Sequence, residues 1–215
     1  MSATLKIMRI GFANRVEAGR QLSRMLIRYS RQEAVILTPM NGSVVLGKVV
    51  SEGLGIPLDV MLVATLHHPI HWHRCIGALT PDEHYLSPVF SGYDQYSKEM
   101  APRLRKRLGE QAGLFKRGRL CLSLKERTVI VITEGCRTGS KLIASLRLIG
   151  KLLPARIVVA APVMAAEARR VIEAEGYEVR CLYTPMPYTE TRVFYRDFGV
   201  YSDEGLAEVF WGGCQ

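Results

Sequence analysis

The residues best suited to chemistry lie in one run, Thr133-Glu134-Gly135-Cys136-Arg137-Thr138-Gly139-Ser140, between an apolar segment and a helical pattern. Two glycines let the backbone approach a ligand closely. The free N–H groups of a helix start, with the hydroxyls of Thr138 and Ser140, can surround a phosphate. Arg137 adds a positive charge, and Glu134 can accept hydrogen bonds from ribose hydroxyls. The turn is too short for a Walker A loop and lacks its lysine. A Gly-bounded turn between strand and helix also occurs without a ligand, so these residues alone leave both readings open. Cys136 sits where a helix N-terminus favours a thiolate, which admits a redox or nucleophilic role. The plainer reading is a small residue that fits the turn.

A second cluster is His67-His68-Pro69-Ile70-His71-Trp72-His73-Arg74, with four of the five histidines. His71 and His73 could alternate on a strand and face one metal ion. Alternatively the histidines and Arg74 could bind an anion more strongly at low pH, or the run could be a polar loop. No carboxylate stands at familiar metal spacing, and no metal-binding residues are assigned; Glu83 and His84 form no recognisable pattern. Trp72, Tyr93, Tyr96, Tyr195 and Trp211 could stack on a base, although aromatics also serve packing.

The elements that must position these residues follow from periodicity. Val16 to Tyr29 repeats at helical spacing after Asn14, a candidate cap. Ala34–Thr38 reads as a buried strand, Val45–Leu54 as a helix ending near Gly53 and Gly55, and Leu58–Ala64 as a second buried strand. Residues 92–117 are mostly helical in pattern. Thr128–Ile132, Arg156–Val163 and Glu178–Tyr183 read as strands, with helices over Ser140–Leu152, around Ala165–Glu175, and from Asp203-Glu204. The expectation is one α/β domain over residues 1–215, a mostly parallel sheet with helices on both faces. Ligands of such sheets sit at the carboxyl ends of the strands, so the loops after Thr38, Ala64 and Ile132 matter.

Composition bounds the rest. Of 215 residues, 48% are apolar and 23% charged, which excludes a disordered or fibrous chain. No apolar run is long enough to span a membrane. Residues 1–15 carry Lys6, Arg9 and Arg15 without a long apolar stretch, so no signal peptide is expected. Five cysteines (Cys75, Cys121, Cys136, Cys181, Cys214), never spaced CxxC, suit reduced thiols in a cytoplasm. The net charge is +9, and Arg103 to Arg127 holds nine Lys/Arg against two Glu. That stretch could attract nucleotides, sugar phosphates or nucleic acid, or be a solvated face.

The string Val129-Ile-Val-Ile-Thr-Glu-Gly-Cys-Arg-Thr-Gly-Ser140 resembles the phosphoribosyl-diphosphate motif of type I phosphoribosyltransferases: a hydrophobic strand, two acids, a short loop and Thr-Gly. The resemblance extends to stand-alone bacterial proteins of this kind. Phe12–Gly19, Leu54–Val60, Ile76–Ala78, Phe115–Gly118, Pro154–Val163, Cys181-Leu182 and Phe194–Phe198 match in order, covering nearly the whole chain. It implies the family's fold, with a small hood or flap region, and a reaction in which a nitrogen base displaces pyrophosphate from phosphoribosyl diphosphate with Mg2+. Such an enzyme holds the 5′-phosphate, orients the ribose and neutralises the departing pyrophosphate. By this resemblance Gly135, Cys136, Arg137, Thr138, Gly139 and Ser140 would bind phosphate. Glu134 would take the ribose hydroxyls.

The sequence also departs from the family. Thr133 replaces the first acid. Pro39-Met40-Asn41-Gly42-Ser43 stands where the family has a pyrophosphate loop reading Pro-Arg-Gly-Gly, with Met40 for Arg and Asn41 for Gly. Ala64 and Thr65 stand where Arg and Lys are usual. Each lost charged contact costs on the order of 2–4 kcal/mol of transition-state stabilisation. Two readings follow. One is a transferase of altered or absent activity acting on phosphoribosyl diphosphate or a nucleotide, as a possible homodimer. The other is a regulatory module that keeps the phosphate pocket without catalysis. Nucleic-acid binding through residues 103–127 ranks third, because Phe115 is the one aromatic there.

Overall fold

A computed structural model describes residues 11–212; Lys6, Arg9 and Cys214 lie outside the described residues. The main sheet contains β1 Ala34–Thr38, β2 Leu58–Val60, β6 Thr128–Ile132, β7 Arg156–Val163 and β8 Glu178–Tyr183. All five run parallel, in the order β2-β1-β6-β7-β8. Ile36, Ile130, Ile132, Val158 and Ala160 point to one core; Val35, Leu37, Val129, Val131 and Val159 point to another. This alternation is the two-residue period of a strand buried on both faces.

Helices cover both faces, as expected. α1 (Arg15–Leu26) and α2 (Ser43–Leu54) pack on one side, joined by α6 (Asp203–Trp211). α4 (Ser140–Gly150) and α5 (Ala166–Ala174) contribute to the other core. Asn14 caps α1, its side chain accepting from the Glu17 amide at 3.0 Å. Gly55 closes α2 at φ 66°, a conformation that favours glycine. β1 leads into α2 on one face and β6 into α4 on the other. The crevice between their carboxyl ends is therefore a topological switch point.

Two expectations about the region after β2 change. The apolar run Leu58–Ala64 is not one strand: β2 stops at Val60, and Ala64 opens β3 (Ala64–His67) of a separate antiparallel sheet. Apolar character alone could not show where the chain turns away. β4 (Cys75–Leu79) and β5 (His84–Leu86) complete this small sheet, which packs on α4 and on α3 (Asp94–Lys116). It is the flap-like region. His71 and His73 are not on a strand; they lie in the exposed β3–β4 turn.

A buried ion pair anchors the long α3. Asp59, at 2% side-chain exposure, accepts from Lys116 Nζ. It also takes the Val60 and Leu122 amides, each at 2.8 Å. One carboxylate thus holds β2, the end of α3 and the strap that follows it. Removing Lys116 would leave this buried carboxylate with Arg119 Nη2, 3.7 Å from Oδ1 and partly exposed, as its charged partner among the described residues, which compensates it poorly. Lys116→Ala should lower unfolding free energy by about 3–5 kcal/mol in urea titration, with Asp59→Asn recovering part of the loss in the double variant.

The crevice between β1 and β6

The turn after β6 is stitched to the sheet on one side. The Thr133 amide donates to Ala160 O at 3.0 Å, the Cys136 amide to Val163 O at 3.3 Å, and Ala165 N to Cys136 O at 2.9 Å. Gly139, at φ 80°, turns the chain into α4, and an added Cβ there would sit 2.9 Å from Val171 Cγ2. Among the described residues, the amides of Arg137 to Ser140 donate to no backbone carbonyl outside the helices. The Thr138 and Ser140 hydroxyls lie 3.2 Å apart on the exposed side. Arg137 is exposed as well.

Cys136 overturns the thiolate expectation. Burial pushes its thiol up from the ordinary 9.0 to about 11, although the amides of Gly139 and Thr138 are directed at the sulfur and pull it part of the way back. One side chain of the turn therefore takes part of its own amide field. Thr133 is spent locally too, its hydroxyl donating to Gly135 O at 3.2 Å.

Glu134 lies just past the end of β6, and it is not free. Its Oε2 receives Arg15 Nε at 2.9 Å, with the two side chains only 6% and 18% exposed for arginine and glutamate respectively. The Arg15 guanidinium lies 3.8 Å from the Phe198 ring centroid, a cation–π contact. The Glu134 amide donates to Ser43 Oγ at 3.2 Å, and Tyr195 donates its hydroxyl to Glu134 O at 2.7 Å. Burial, and then the Glu134 carboxylate, push the Tyr195 phenol far up, so it remains a donor. By sequence Arg15 has no site role, and Tyr195 is an aromatic that could stack on a base; the structure makes it a hydrogen-bond donor to Glu134 O. Their matching segments, Phe12–Gly19 and Phe194–Phe198, were the signal.

The β1–α2 loop closes the crevice from the other side. Asn41 Oδ1 accepts from the Ser43 amide at 2.9 Å, bracing the turn that enters α2. Met40, Asn41 and Gly42 line a cleft of about 510 Å³ with Arg15, Arg192 and Tyr201. From above, Tyr188 and Thr191 lie on Gly135, whose added Cβ would meet Thr191 Cγ2 at 2.5 Å and Tyr188 Oη at 2.7 Å.

The other candidates disperse. Thr65 Oγ1 sits 3.1 Å from His67 Nε2, inside the small sheet. Burial lowers the His67 pKa, with the Trp72 carbonyl opposing it. His68 Nδ1 accepts the Ile70 and His71 amides at 3.1 and 3.0 Å and shapes its own turn. Among the described residues no group of three His, Cys, Asp or Glu side chains could hold a metal ion. In the basic stretch, Lys116 is buried on Asp59, and Arg117 and Arg119 lie over the Trp211 ring at 5.4 and 5.3 Å. Among the described residues no helix is long and apolar enough to cross a membrane.

Two outcomes follow from this geometry. Gly42→Ala would place a methyl 2.4 Å from Glu134 Oε2 and 2.5 Å from Arg15 Nε. It should destabilise the fold by about 3 kcal/mol in chemical denaturation, mainly by parting that pair. Burial holds Cys136 and Cys181 each at about 11. The folded chain keeps these protons where the unfolded chain loses them. Their stabilising contribution is complete below about pH 9 and is lost as pH rises toward 11. In a Cys214→Ser background at pH 8, iodoacetamide should label exposed Cys121 well before either of them, as mass spectrometry of the peptides would read.

No family model matches the chain. It is 30% identical over 200 residues to the Mycobacterium tuberculosis H37Rv protein named "Putative phosphoribosyl transferase Rv0571c", and equally to its counterpart MT0597 in strain CDC 1551. The alignment takes in 90% of this chain and 45% of each relative, so the chain spans about half the length of these curated relatives. The crystal structure of TT1426 from Thermus thermophilus superposes with TM-score 0.83 at 32% identity, over 93% of this chain and 97% of that one. A Bacillus anthracis hypoxanthine-guanine phosphoribosyltransferase superposes with TM-score 0.50 at 11% identity, over 89% and 97%, a likeness of fold. The chain therefore belongs to the family of TT1426, a family of type I phosphoribosyltransferase fold.

Proposed function

We propose that this protein binds a ribose 5-phosphate compound, either phosphoribosyl diphosphate or a nucleotide, across the β1–β6 crevice, and that any transfer it catalyses is slow. The observation that carries the reading is the β6–α4 turn. Among the described residues its amides from Arg137 to Ser140 meet no carbonyl outside the helices, those of Thr138 and Gly139 being directed at Cys136 Sγ, and its two hydroxyls stand together at a helix N-terminus, at the switch point of the sheet. The terminal phosphate would sit on the Thr138 and Ser140 hydroxyls and the amides around them. The ribose would lie toward Glu134.

The same geometry supports weak chemistry. Thr133 offers a hydroxyl already donated to Gly135 O. Glu134 must share its carboxylate with Arg15. The donor set does not fit a magnesium ion held by protein carboxylates, since the one acid after β6 is neutralised by a buried guanidinium. Arg192 lines the cleft beside Met40 and supplies positive charge there, whereas Arg15, which also lines it, is paired with Glu134. A binding module without turnover is the second reading, favoured by the Arg15–Glu134 pair.

Ribose 5-phosphate should raise the melting temperature in a concentration-dependent way. Thr138→Ala and Ser140→Ala should each weaken its binding by roughly 5- to 10-fold in calorimetric titration, matching about 1–1.5 kcal/mol per lost hydrogen bond. Pyrophosphate release from phosphoribosyl diphosphate with a panel of bases separates the two readings. Flat melting curves with ribose 5-phosphate, phosphoribosyl diphosphate and nucleotides would sink both.

A further inference from the structure

The crevice does not use a second cavity, of about 270 Å³, beneath the flap. It is bounded by the β2–β3 linker (Met61, Val63), the Thr80–Glu83 turn between β4 and β5, Leu122 of the strap, and the last turns of α4. Its walls are mainly aliphatic. Its edge carries a Glu83–Lys151 ion pair and the exposed thiol of Cys121.

We infer that this cavity is a binding site for a compact apolar molecule bearing one hydrogen-bond donor, such as a small aromatic N–H or O–H compound. Three observations support that class. The volume lies just under the range of drug-sized pockets, which limits the ligand to a single or fused ring. The aliphatic walls offer burial without directing groups, so most of the affinity comes from apolar area. The third is Asp59, one of the lining residues. Its Oδ1 takes Lys116 and the Val60 amide, whereas Oδ2 accepts only the Leu122 amide at 2.8 Å among the described residues. A carboxylate oxygen has room for a second donor. A phosphorylated ligand is excluded by the acidic edge, where Asp82 and Glu83 face one lysine.

The place of the cavity in the fold gives the site its consequence. One wall is the flap's own turn and another is α4, whose first residue, Ser140, belongs to the phosphate turn. A molecule held between them ties the flap to that helix. Occupancy therefore acts on the flap from behind, away from the crevice. The inference does not depend on what the crevice binds.

Indole is the probe, used with the full chain carrying Cys214→Ser. Indole at ten times its dissociation constant should raise the melting temperature by roughly 3 °C. It should also slow iodoacetamide labelling of Cys121 by about tenfold, the fraction left unoccupied at that concentration. Leu152→Trp, at a half-exposed position on the edge, should fill the mouth and abolish both effects. Should that variant fail to fold, alkylating Cys121 with N-ethylmaleimide closes the same mouth and should abolish the thermal shift. Naphthalene, of similar size without the donor, should bind more weakly by roughly 5- to 10-fold. No thermal shift and no protection of Cys121 at saturating indole would overturn the inference, as would a shift that survives both blocks. Ribose 5-phosphate should leave Cys121 labelling unchanged, which keeps this test separate from that of the crevice.

Discussion

The buried pair between Arg15 and Glu134 is the interaction on which the arrangement of the site depends. It joins four distant parts of the chain: the first turn of α1, the end of β6, the Gly42 backbone and the segment carrying Phe198. A guanidinium and a carboxylate removed from water cost several kcal/mol each in desolvation. That cost is offset only by close geometry and further partners, and here Phe198 and Gly199 O supply them for the arginine. The crevice cannot open or shift at Glu134 without moving all four parts. The Glu134 carboxylate is thus a structural clasp.

The same economy shows in the positions where the chain departs from the family's pattern. Positive charge near the β1–α2 loop does not come from that loop, where Met40 and Asn41 stand. It comes from Arg192, since Arg15, which also lines the cleft, is paired with Glu134. Asn41 instead braces the turn into α2, and Thr133 braces its own turn. The substituted positions have become parts of the scaffold.

A similar division separates the two ends of the small antiparallel sheet. Its histidine turn is internally satisfied at His68 and exposed at His71 and His73. Its opposite turn, Thr80–Glu83, closes over the apolar cavity against α4. Lys116 and Asp59 hold that side in place, and the nominal basic patch loses a charge to the core in doing so.

The strands and helices of the main sheet were legible in the chain itself. The bounds of β1 and β6 follow from short runs that are almost wholly apolar, β7 from an apolar run after Arg156 and β8 from alternation, and the Gly-bounded turn with its helix start is a local pattern. Local chemistry fixes such features, since propensity, capping and burial act within a few residues. The sequence could not reveal that β2 ends at Val60, since an apolar run does not say which neighbour it will pair with. Nor could it reveal that Glu134 is claimed by Arg15, 119 residues away, or that burial raises the Cys136 thiol against the helix field. Those outcomes depend on desolvation and on partners brought together by folding, and both are properties of three-dimensional packing.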